Sequence, residues 1–342
     1  MRSVMVVDDN LVNLKYIDTQ LSGNYHVILA KSGEQALGIC GREKPDLILL
    51  DIEMPGMDGF EMITRLKQDT YLHHIPVIFL TADHNVQTEA RGLTSGAVDF
   101  ITKPFEKNIL LHRLEIHLRF SEYQLHLEGI VKELSDSLSS SFSELVECRD
   151  ANTGGHVVRT SRYVELIGAE LKNRGLFGSE LSDQQLAMMV RAAPLHDIGK
   201  ISISDVILRK PGGLSAEEFS VMKTHAMLGA QILHGMYKRT PTQRYLQYAI
   251  MIAEGHHEKY DGTGYPRGIS GDAIPLGARL MAVADVYDAL VDDRVYRKAM
   301  SHEEAYDIIM KGKGSHFDPR IIDAFDSISA EIAREAEIRK NA

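Results

Sequence analysis

A histidine and an aspartate stand side by side at His196-Asp197, within an apolar stretch that should be buried. Burying such a pair is costly unless something compensates the two polar groups. A hydrogen bond between them would do so, and this is the ordinary explanation for an isolated dipeptide. A metal ion would also do so, because imidazole and carboxylate suit Fe, Mn, Ni or Zn. The rest of the chain has to decide between the two.

Donors of the same types recur in four further segments, and they favour the metal. The candidate ligands are His156, His196, Asp197, His225, His256, His257 and Asp285. Asp285 is informative because residues 280–290 are apolar almost all round, which predicts a buried helix. A carboxylate there needs a cation or several donors. We therefore favour metal ligation over an ion pair with Arg279 or Arg294, and we expect Asp288 to orient a ligand histidine.

A glycine-rich loop follows the double histidine His256-His257. It reads Asp261-Gly262-Thr263-Gly264-Tyr265-Pro266. Gly262 and Gly264 supply backbone freedom, so we expect the loop to cap the pocket. The Tyr265 ring could stack on a nucleobase, and a tyrosine that packs the turn is an equal alternative.

A second set of reactive residues lies near the N-terminus, where short apolar runs end. Its members are Asp8, Asp9, Asp51, Thr81 and Lys103. Three converging carboxylates carry enough charge to hold Mg²⁺, which prefers oxygen ligands. A carboxylate can also attack a phosphoryl group, whose charge Lys103 would neutralise while Thr81 donates a hydrogen bond. Any one of these residues alone would be an ordinary solvated strand end.

A parallel sheet is the element that would bring this second set together. Strands are predicted at Val4–Val7, His26–Leu29, Leu47–Leu50, Val77–Leu80 and Val98–Ile101. Helical stretches separate them, which predicts a doubly wound α/β sheet whose chemistry lies beyond the carboxyl ends of the strands. Residues 150–330, in contrast, read as nearly all helix.

A long helix is predicted between these halves, because residues 107–150 contain no proline and one glycine, Gly129. Apolar residues follow 3–4 spacing at Leu127, Val131, Leu134, Leu138 and Leu145. This pattern predicts a seam between the protomers of a homodimer. An amphipathic helix that packs on its own domain is the alternative, since several serines dilute the stripe. Such a helix could transmit a rearrangement near Asp51 to the second half.

Composition limits the remaining possibilities. A chain of 342 residues predicts two domains. The net charge of −10, without a basic run, argues against DNA binding. No apolar run approaches the ~20 residues that cross a bilayer. The lack of a signal-like N-terminus and the unspaced Cys40 and Cys148 favour a reducing cytoplasm.

Residues 1–120 resemble the receiver domain of two-component response regulators. The resemblance depends on Asp8-Asp9, on Asp51 within Leu49–Gly59, on Thr81-Ala82 and on Lys103-Pro104-Phe105. It implies that a cognate sensor histidine kinase phosphorylates Asp51. It further implies that Asp9, Asp51 and the backbone carbonyl of Glu53 hold Mg²⁺. A switch aromatic at Phe100 and a cis Lys103-Pro104 peptide follow from the same resemblance.

Residues 149–319 resemble the HD-GYP family of metal-dependent phosphodiesterases, and the resemblance implies hydrolysis of cyclic di-GMP. The matching motifs are Thr153–Arg159, His196–Lys200, His225, His256–Glu258, Asp261–Pro266, Asp285–Arg297 and Phe317–Pro319. The resemblance implies that one metal is held by His156, His196, Asp197 and Asp285. Asp197 would bridge to a second metal, held by His225, His256 and His257.

The same resemblance suggests the substrate contacts and one departure. Lys200, Arg294 and Arg297 match positions that contact substrate phosphate, with Lys200 and Asp197 as the catalytic residues. Some family members carry a glutamate four residues before the first ligand histidine, where it helps hold a third metal. Here that position is Asn152, and an amide is a poorer ligand, so two metals are predicted.

The predicted protein is therefore a cytoplasmic response regulator with an α/β doubly wound, flavodoxin-like receiver and an all-α HD-type domain. The boundaries are 1–120 for the receiver, 121–148 for a helical linker and 149–330 for the phosphodiesterase. Phosphorylation of Asp51 would control hydrolysis of cyclic di-GMP to pGpG, and GMP would follow from a second cut. The alternatives are a cyclic-dinucleotide sensor, a scaffold whose loop recruits a diguanylate cyclase, and a phosphodiesterase for pGpG or another cyclic dinucleotide.

Overall fold

The computed structural model describes residues 1–69, 71–82, 91–92, 94–149, 155–292 and 298–340. The chain divides into two compact units, Met1–Lys132 and Glu133–Ala342. Among the described residues, no helix is both long enough and apolar enough to span a membrane.

The first unit is built on a five-stranded parallel sheet in the order β2-β1-β3-β4-β5. Its strands are β1 (Ser3–Val7), β2 (His26–Ala30), β3 (Leu47–Asp51), β4 (Val77–Thr81) and β5 (Asp99–Thr102). Every residue of β3 and β4 is buried, as expected for strands covered on both faces. All five predicted strands are confirmed to within one residue at each end, and so is the doubly wound fold class.

Helices with side-chain caps connect these strands. They are α1 (Leu11–Leu21), α2 (Gly33–Cys40) and α3 (Gly59–Gln68). Asn10, Ser32 and Asp58 cap their N-termini by accepting a backbone N–H, which satisfies groups that the helix itself leaves unpaired. Two apolar clusters pack on the sheet, one including Met5 and Phe79 and the other including Val6 and Leu114.

Helix α4 runs from Lys107 to Arg149, and the boundary between the two units falls within it. The predicted long helix is thus confirmed, with Gly129 inside it. The predicted apolar stripe is exposed: its five residues, Leu127, Val131, Leu134, Leu138 and Leu145, are 41–63% accessible. The alternative in which this stripe packs on its own domain is therefore wrong. The buried side chains near the end of the helix are instead Ser139, Ser143, Val146 and Glu147.

The second unit consists of helices around one apolar core. After the end of α4 they are α5 (His156–Asn173), α6 (Asp183–Ala192), α7 (Asp205–Leu208), α8 (Ala216–Lys223), α9 (His225–Arg239), α10 (Tyr245–Gly255), α11 (Leu276–Val291), α12 (His302–Lys311), α13 (Pro319–Ser327) and α14 (Ser329–Lys340). Helix α11 lies at the centre, with all but three of its sixteen residues buried, as the apolar sequence of residues 280–290 predicts. Asp285 is one of the three that are partly exposed.

Candidate metal centre

The candidate ligands of the second unit sit at the ends of helices. His156 opens α5 and His225 opens α9, whereas His256-His257 directly follow α10. His196-Asp197 lie in a tight turn between the 3-10 helices Ala193–Leu195 and Ile198–Ser202. Only Asp285 projects from the middle of a helix, α11.

A glycine brings the His196-Asp197 turn against α9. A Cβ atom added to Gly199 would lie 2.0 Å from the carbonyl oxygen of His225 and 2.5 Å from the amide nitrogen of Gly229. Real atoms do not approach so closely, so only glycine permits this contact. The contact places the carboxylate of Asp197 beside the ring of His225.

Asp197 lies among the imidazoles of three histidines, which belong to different helices and turns. Its Oδ1 is 3.2 Å from Nε2 of His225 and 3.6 Å from Nε2 of His256. Its Oδ2 is 3.4 Å from Nε2 of His196 and 2.8 Å from Nζ of Lys200. One carboxylate therefore touches donors on both sides of the cluster, the position that a bridging ligand would occupy.

The seven donors form two groups, and within each group the ligand atoms lie within 4.8 Å of one another. One group is Asp197, His225, His256 and His257; the other is His156, His196 and Asp285. In the second group, Nε2 of His156 lies 3.4 Å from Nε2 of His196 and 3.5 Å from Oδ1 of Asp285. The structure thus brings together every ligand candidate that the sequence suggested.

Hydrogen bonds to the outer nitrogens turn these rings toward the centre. Nδ1 donates to the Ala193 carbonyl at 2.9 Å in His196, to the Met222 carbonyl at 2.8 Å in His225, and to the Ile252 and Ala253 carbonyls at 3.1 Å in His256. A carbonyl can only accept, so Nδ1 carries the proton. In the neutral ring, Nε2 then presents a lone pair to the centre, which is the form that binds a metal.

A carboxylate holds His156 in the same way. Oδ2 of Asp288 accepts from Nδ1 of His156 at 2.7 Å, which confirms the expected orienting contact. Asp288 is in turn held by Arg159, whose Nε and Nη2 donate to it at 2.7 and 2.9 Å. Nothing in the sequence pattern singled out Arg159 for this role, although its position three residues after His156 puts both on one face of α5.

The donor set fits divalent metal ions. Oδ1 of Asp197 is buried, and among the described residues it accepts no hydrogen bond, even though two imidazole nitrogens lie close to it. Nε2 of His225 and Nε2 of His256 also face each other at 3.5 Å, while Nδ1 of each ring donates to a backbone carbonyl. Lone pairs that converge in this way are stabilised by a cation, and imidazole with carboxylate is a donor set for transition metals.

Burial and neighbouring charges shift the pKa values of the ligand histidines in different directions. Burial lowers the pKa of His256, and burial together with the neighbouring His256 and His225 lowers the pKa of His257 well below its usual value. Both rings are therefore neutral at pH 7. Burial also lowers the pKa of His196, but the Asp197 carboxylate outweighs burial and raises it to about 9. Binding of a metal at His196 must accordingly release a proton.

A buried carboxylate, that of Glu258, holds the glycine-rich loop in place. Oε1 of Glu258 accepts from the backbone N–H groups of Arg267 and Gly268 at 2.6 and 3.1 Å. A Cβ atom on Gly264 would lie 2.3 Å from the amide nitrogen of Lys259, so the loop can fold this tightly only with glycine there. Nothing in the sequence pattern indicated that Glu258 would hold the loop through these hydrogen bonds.

Tyr265 lies at the edge of the centre. Its ring centroid is 4.7 Å from that of His257, at 30°, and 6.3 Å from that of Phe219. The ring is thus used for packing within the loop, while its contact with a ligand histidine keeps it next to the candidate substrate site. Three further residues considered from the sequence, Arg294, Arg297 and Asn152, lie outside the described residues.

The first unit gathers its own acidic site at the carboxyl ends of β1 and β3. Asp8 and Asp51 are buried, Asp9 is exposed, and their oxygens lie within 4.8 Å of one another. Nζ of Lys103 donates to both Asp8 and Asp51 at 2.8 Å. Burial raises the pKa of Asp51 above its usual value, although Lys103 opposes this.

The other residues predicted for this site are found around it. Thr81 ends β4 and is buried, whereas the side chain of Glu53 is exposed in the loop after β3. The Lys103-Pro104 peptide is cis, as the receiver resemblance implies. Phe100 lies in β5, with its ring 5.4 Å from that of Phe79.

Comparison with known proteins agrees with this division of the chain. Residues 4–115 match a family described as the response regulator receiver domain, and residues 141–321 match one described as the HD domain. A probable cyclic di-GMP phosphodiesterase of Vibrio cholerae serotype O1 is 42% identical over 338 residues, covering 94% of this chain and 77% of the relative.

Two further relatives span both units. The cyclic di-GMP phosphodiesterase response regulator RpfG of Xanthomonas campestris pv. campestris is 33% identical, covering 94% of this chain and 86% of its own. A cyclic di-GMP phosphodiesterase of Thermotoga maritima is 32% identical, covering 96% of this chain and 91% of its own. A 3'3'-cGAMP-specific phosphodiesterase of Vibrio cholerae matches at 36% identity over 64% of this chain and 39% of the relative.

Proposed function

We propose a function from one premise: the chain belongs to the family of response regulators that join a receiver domain to an HD domain. An HD domain implies a hydrolase that depends on a divalent metal, and relatives that share the whole architecture are named cyclic di-GMP phosphodiesterases. The protein hydrolyses a phosphodiester bond of cyclic di-GMP and releases linear pGpG. The observation that carries this proposal is the gathering of seven imidazole and carboxylate donors into two neighbouring groups.

Two transition-metal ions of the Fe, Mn, Ni or Zn class would occupy the two donor groups. His156, His196 and Asp285 hold one ion, His225, His256 and His257 hold the other, and Asp197 bridges them. The separation of the donors into two groups and the unpartnered Oδ1 of Asp197 support this division. Asn152 in place of a glutamate supports two ions rather than three. Such ions supply a hydroxide-like nucleophile at neutral pH and charge stabilisation at the phosphoryl group.

The protein's own residues position the substrate and manage charge. Lys200 keeps its ammonium group beside Asp197, so a cation stands where the phosphodiester would approach. Tyr265 forms an aromatic wall next to His257 against which a guanine can pack. Arg294 and Arg297 are assigned to substrate phosphate from the family resemblance.

The receiver would regulate this activity. A sensor histidine kinase donates a phosphoryl group to Asp51, with Mg²⁺ held by Asp9, Asp51 and the carbonyl of Glu53. Lys103, which already contacts Asp8 and Asp51, neutralises the added charge, and the hydroxyl of Thr81 at the end of the adjacent strand donates a hydrogen bond to it. The domain boundaries of this proposal are 1–120, 121–148 and 149–330.

A homodimer through α4 completes the proposal. The stripe Leu127, Val131, Leu134, Leu138 and Leu145 is apolar, exposed and spaced like the seam of a coiled coil. An exposed apolar stripe of this length marks an interaction surface.

A second substrate is favoured by one observation. Vibrio cholerae relatives named as 3'3'-cGAMP-specific phosphodiesterases match 54–64% of this chain at 36–38% identity. The two-metal chemistry is the same for either cyclic dinucleotide, so only the base-reading contacts would differ.

Product analysis tests the proposal. The metal-free protein is reconstituted anaerobically with Fe, Mn, Ni or Zn and incubated with cyclic di-GMP or 3'3'-cGAMP, and products are separated by chromatography. We expect pGpG from cyclic di-GMP with at least one metal, and slower turnover of 3'3'-cGAMP. Faster turnover of 3'3'-cGAMP would favour the second substrate. No turnover of either by fully metal-loaded protein would contradict the enzyme assignment.

A further inference from the structure

Helix α4 brings a carboxylate to the metal centre that none of the roles above uses. Glu147 lies two residues before the end of this helix, within the second unit, and is 4% exposed. Its Oε1 is 3.8 Å from Nε2 of His156. No sequence pattern singles it out, because it follows a serine-rich stretch without a recognisable ligand motif.

The carboxylate of Glu147 has no hydrogen-bond partner among the described residues. Both of its oxygens are buried and unpaired, as is the hydroxyl of Ser143 one turn earlier. A buried carboxylate without partners is strongly unfavourable. Its place in the last turn of a helix adds to this, since the helix dipole disfavours negative charge there. An ionised Glu147 would therefore be stabilised by a cation next to it.

Side chains of the described residues do not supply that cation. The ammonium group of Lys200 is engaged by Asp197 at 2.8 Å. Nε2 of His156 lies 3.8 Å from Oε1 of Glu147, which is too long for a hydrogen bond. The outer nitrogen of this histidine is held by Asp288, which turns Nε2 toward the space between Glu147, His196 and Asp285.

We propose that Glu147 supplies a further carboxylate oxygen to the ion held by His156, His196 and Asp285. Two ligand atoms that each lie about 2.1 Å from one ion are at most about 4.2 Å apart. The 3.8 Å between Glu147 and His156 fits this limit. Glu147 lies at the edge of the group rather than inside it, so the ion draws the carboxylate inward. The inference rests on the proposed metal centre and adds an eighth donor to it.

Metal titration of the full-length protein tests this role. Metal-free wild type, Glu147→Gln and Glu144→Gln are titrated with Mn²⁺, and the bound ions are counted after desalting. Glu144 is the matched control, because it is exposed on the same helix one turn earlier. We expect two ions in the wild type and the control. In Glu147→Gln, one of the two should bind at least about tenfold more weakly, as for the loss of a supporting group of a metal.

Thermal unfolding of the same proteins gives a readout independent of occupancy. Without metal, Glu147→Gln should unfold at a higher temperature than wild type, because the substitution removes an unpaired buried charge. With Mn²⁺ this order should reverse. Glu147→Asp keeps the charge but has a shorter side chain, and it should also weaken the binding of one ion. Far-ultraviolet circular dichroism of each variant checks that its helical content, including α4, is unchanged.

The outcomes separate this inference from the proposed function. If Glu147→Gln binds both ions as tightly as wild type, Glu147 is not a ligand, while the metal centre itself stands. If wild type binds no Mn²⁺, Fe, Ni or Zn at all, the proposed function fails and this inference fails with it. If Glu147→Gln does not fold, unchanged Mn²⁺ affinity in a folded Glu147→Asp variant overturns the role, and weakened affinity supports it.

Discussion

The two units each gather carboxylates at one point, but they neutralise them differently. In the first unit, Lys103 reaches Asp8 and Asp51 at 2.8 Å each, so a permanent cation lies within the acidic site. In the second, Lys200 reaches one oxygen of Asp197, while the other oxygen accepts no hydrogen bond from any described residue. The first site therefore contains its own counter-charge, whereas one oxygen of Asp197 in the second is left for a bound cation.

The ligand chemistry follows the same division. The first site offers carboxylate oxygens, suited to a hard and weakly held Mg²⁺. The second offers five histidines and two aspartates, suited to transition metals that bind tightly. A phosphoacceptor that must be loaded and emptied gains from the former, and a hydrolytic centre gains from the latter. The following predictions test this contrast, beginning with the largest expected effect.

Asp197→Ala should abolish the second centre. The substitution removes the one carboxylate that contacts His196, His225 and His256. We expect loss of both ions and a fall in turnover of about a thousandfold or more, since metals contribute several kcal/mol to such reactions. Metal analysis together with pGpG formation measures both. Retained turnover at full metal occupancy would refute the bridging role.

Removal of metal should destabilise the second unit alone. Two ions present at about a hundred times their dissociation constants add about 5 kcal/mol, which corresponds to a shift of roughly 10–20 °C for a unit of this size. Calorimetry should show two unfolding transitions. A chelator should lower the midpoint temperature of one and leave that of the other unchanged. Equal shifts of both would mean that the two sites depend on ions alike.

Asp288→Asn should weaken the centre without emptying it. Asp288 orients His156 at 2.7 Å and is held by Arg159. Loss of such a supporting carboxylate weakens metal binding about 10–100-fold, so turnover should recover when the metal concentration is raised. Asp292→Asn serves as the control, because Asp292 contacts Arg159 but not the ligand histidine. Equal effects of the two substitutions would point to α5 packing instead.

Asp51→Asn should remove regulation and leave the metal centre intact. Wild type treated with beryllofluoride and Mg²⁺ should differ from untreated protein in turnover by several-fold, and the variant should not respond. Metal content should be unchanged, since Asp51 belongs to the other unit. Identical turnover, oligomeric state and metal loading in treated wild type and Asp51→Asn would show that the receiver does not control the enzyme.

Asp99→Asn should have the smallest effect, and that effect should depend on pH. Burial raises the pKa of Asp99, but hydrogen bonds from Arg113, the Phe100 amide and His117 outweigh it and lower the pKa below 3.8. A lowered pKa in the folded state stabilises the fold above the unfolded value, and this stability is lost as pH falls through the folded value. Unfolding should show a loss of about 1 kcal/mol at pH 7 that disappears in acid. A constant loss from pH 7 to 3 would contradict this account.

The sequence predicts the parts of the molecule in which burial is uniform. Strands β1, β3 and β4 are covered on both faces, so their apolar runs mark their ends to within a residue. Helix α11 is recognisable for the same reason. The ligand histidines can be recognised because imidazoles and carboxylates recur in several apolar segments, where each needs a compensating partner. Their convergence, however, depends on the Gly199 contact, which no local pattern records.

The end of α4 shows what the sequence does not reveal. Leu138 and Leu145 are exposed there, whereas the polar Ser143 and Glu147 are buried beside Val146. Periodicity would assign the faces the other way round, because it assumes that apolar side chains face the core of their own unit. Glu147 was missed for this reason, although His156 lies only nine residues further on. Arg159 was missed because its partner, Asp288, is distant in the sequence.

Anomalous diffraction from crystals of the Mn²⁺-loaded protein tests the central claim most directly. Two strong peaks per chain should appear within the second unit, one bounded by His156, His196 and Asp285 and the other by His225, His256 and His257, with Asp197 in contact with both. A centre without anomalous density in fully reconstituted protein, with the imidazoles turned away from one another, would contradict the account.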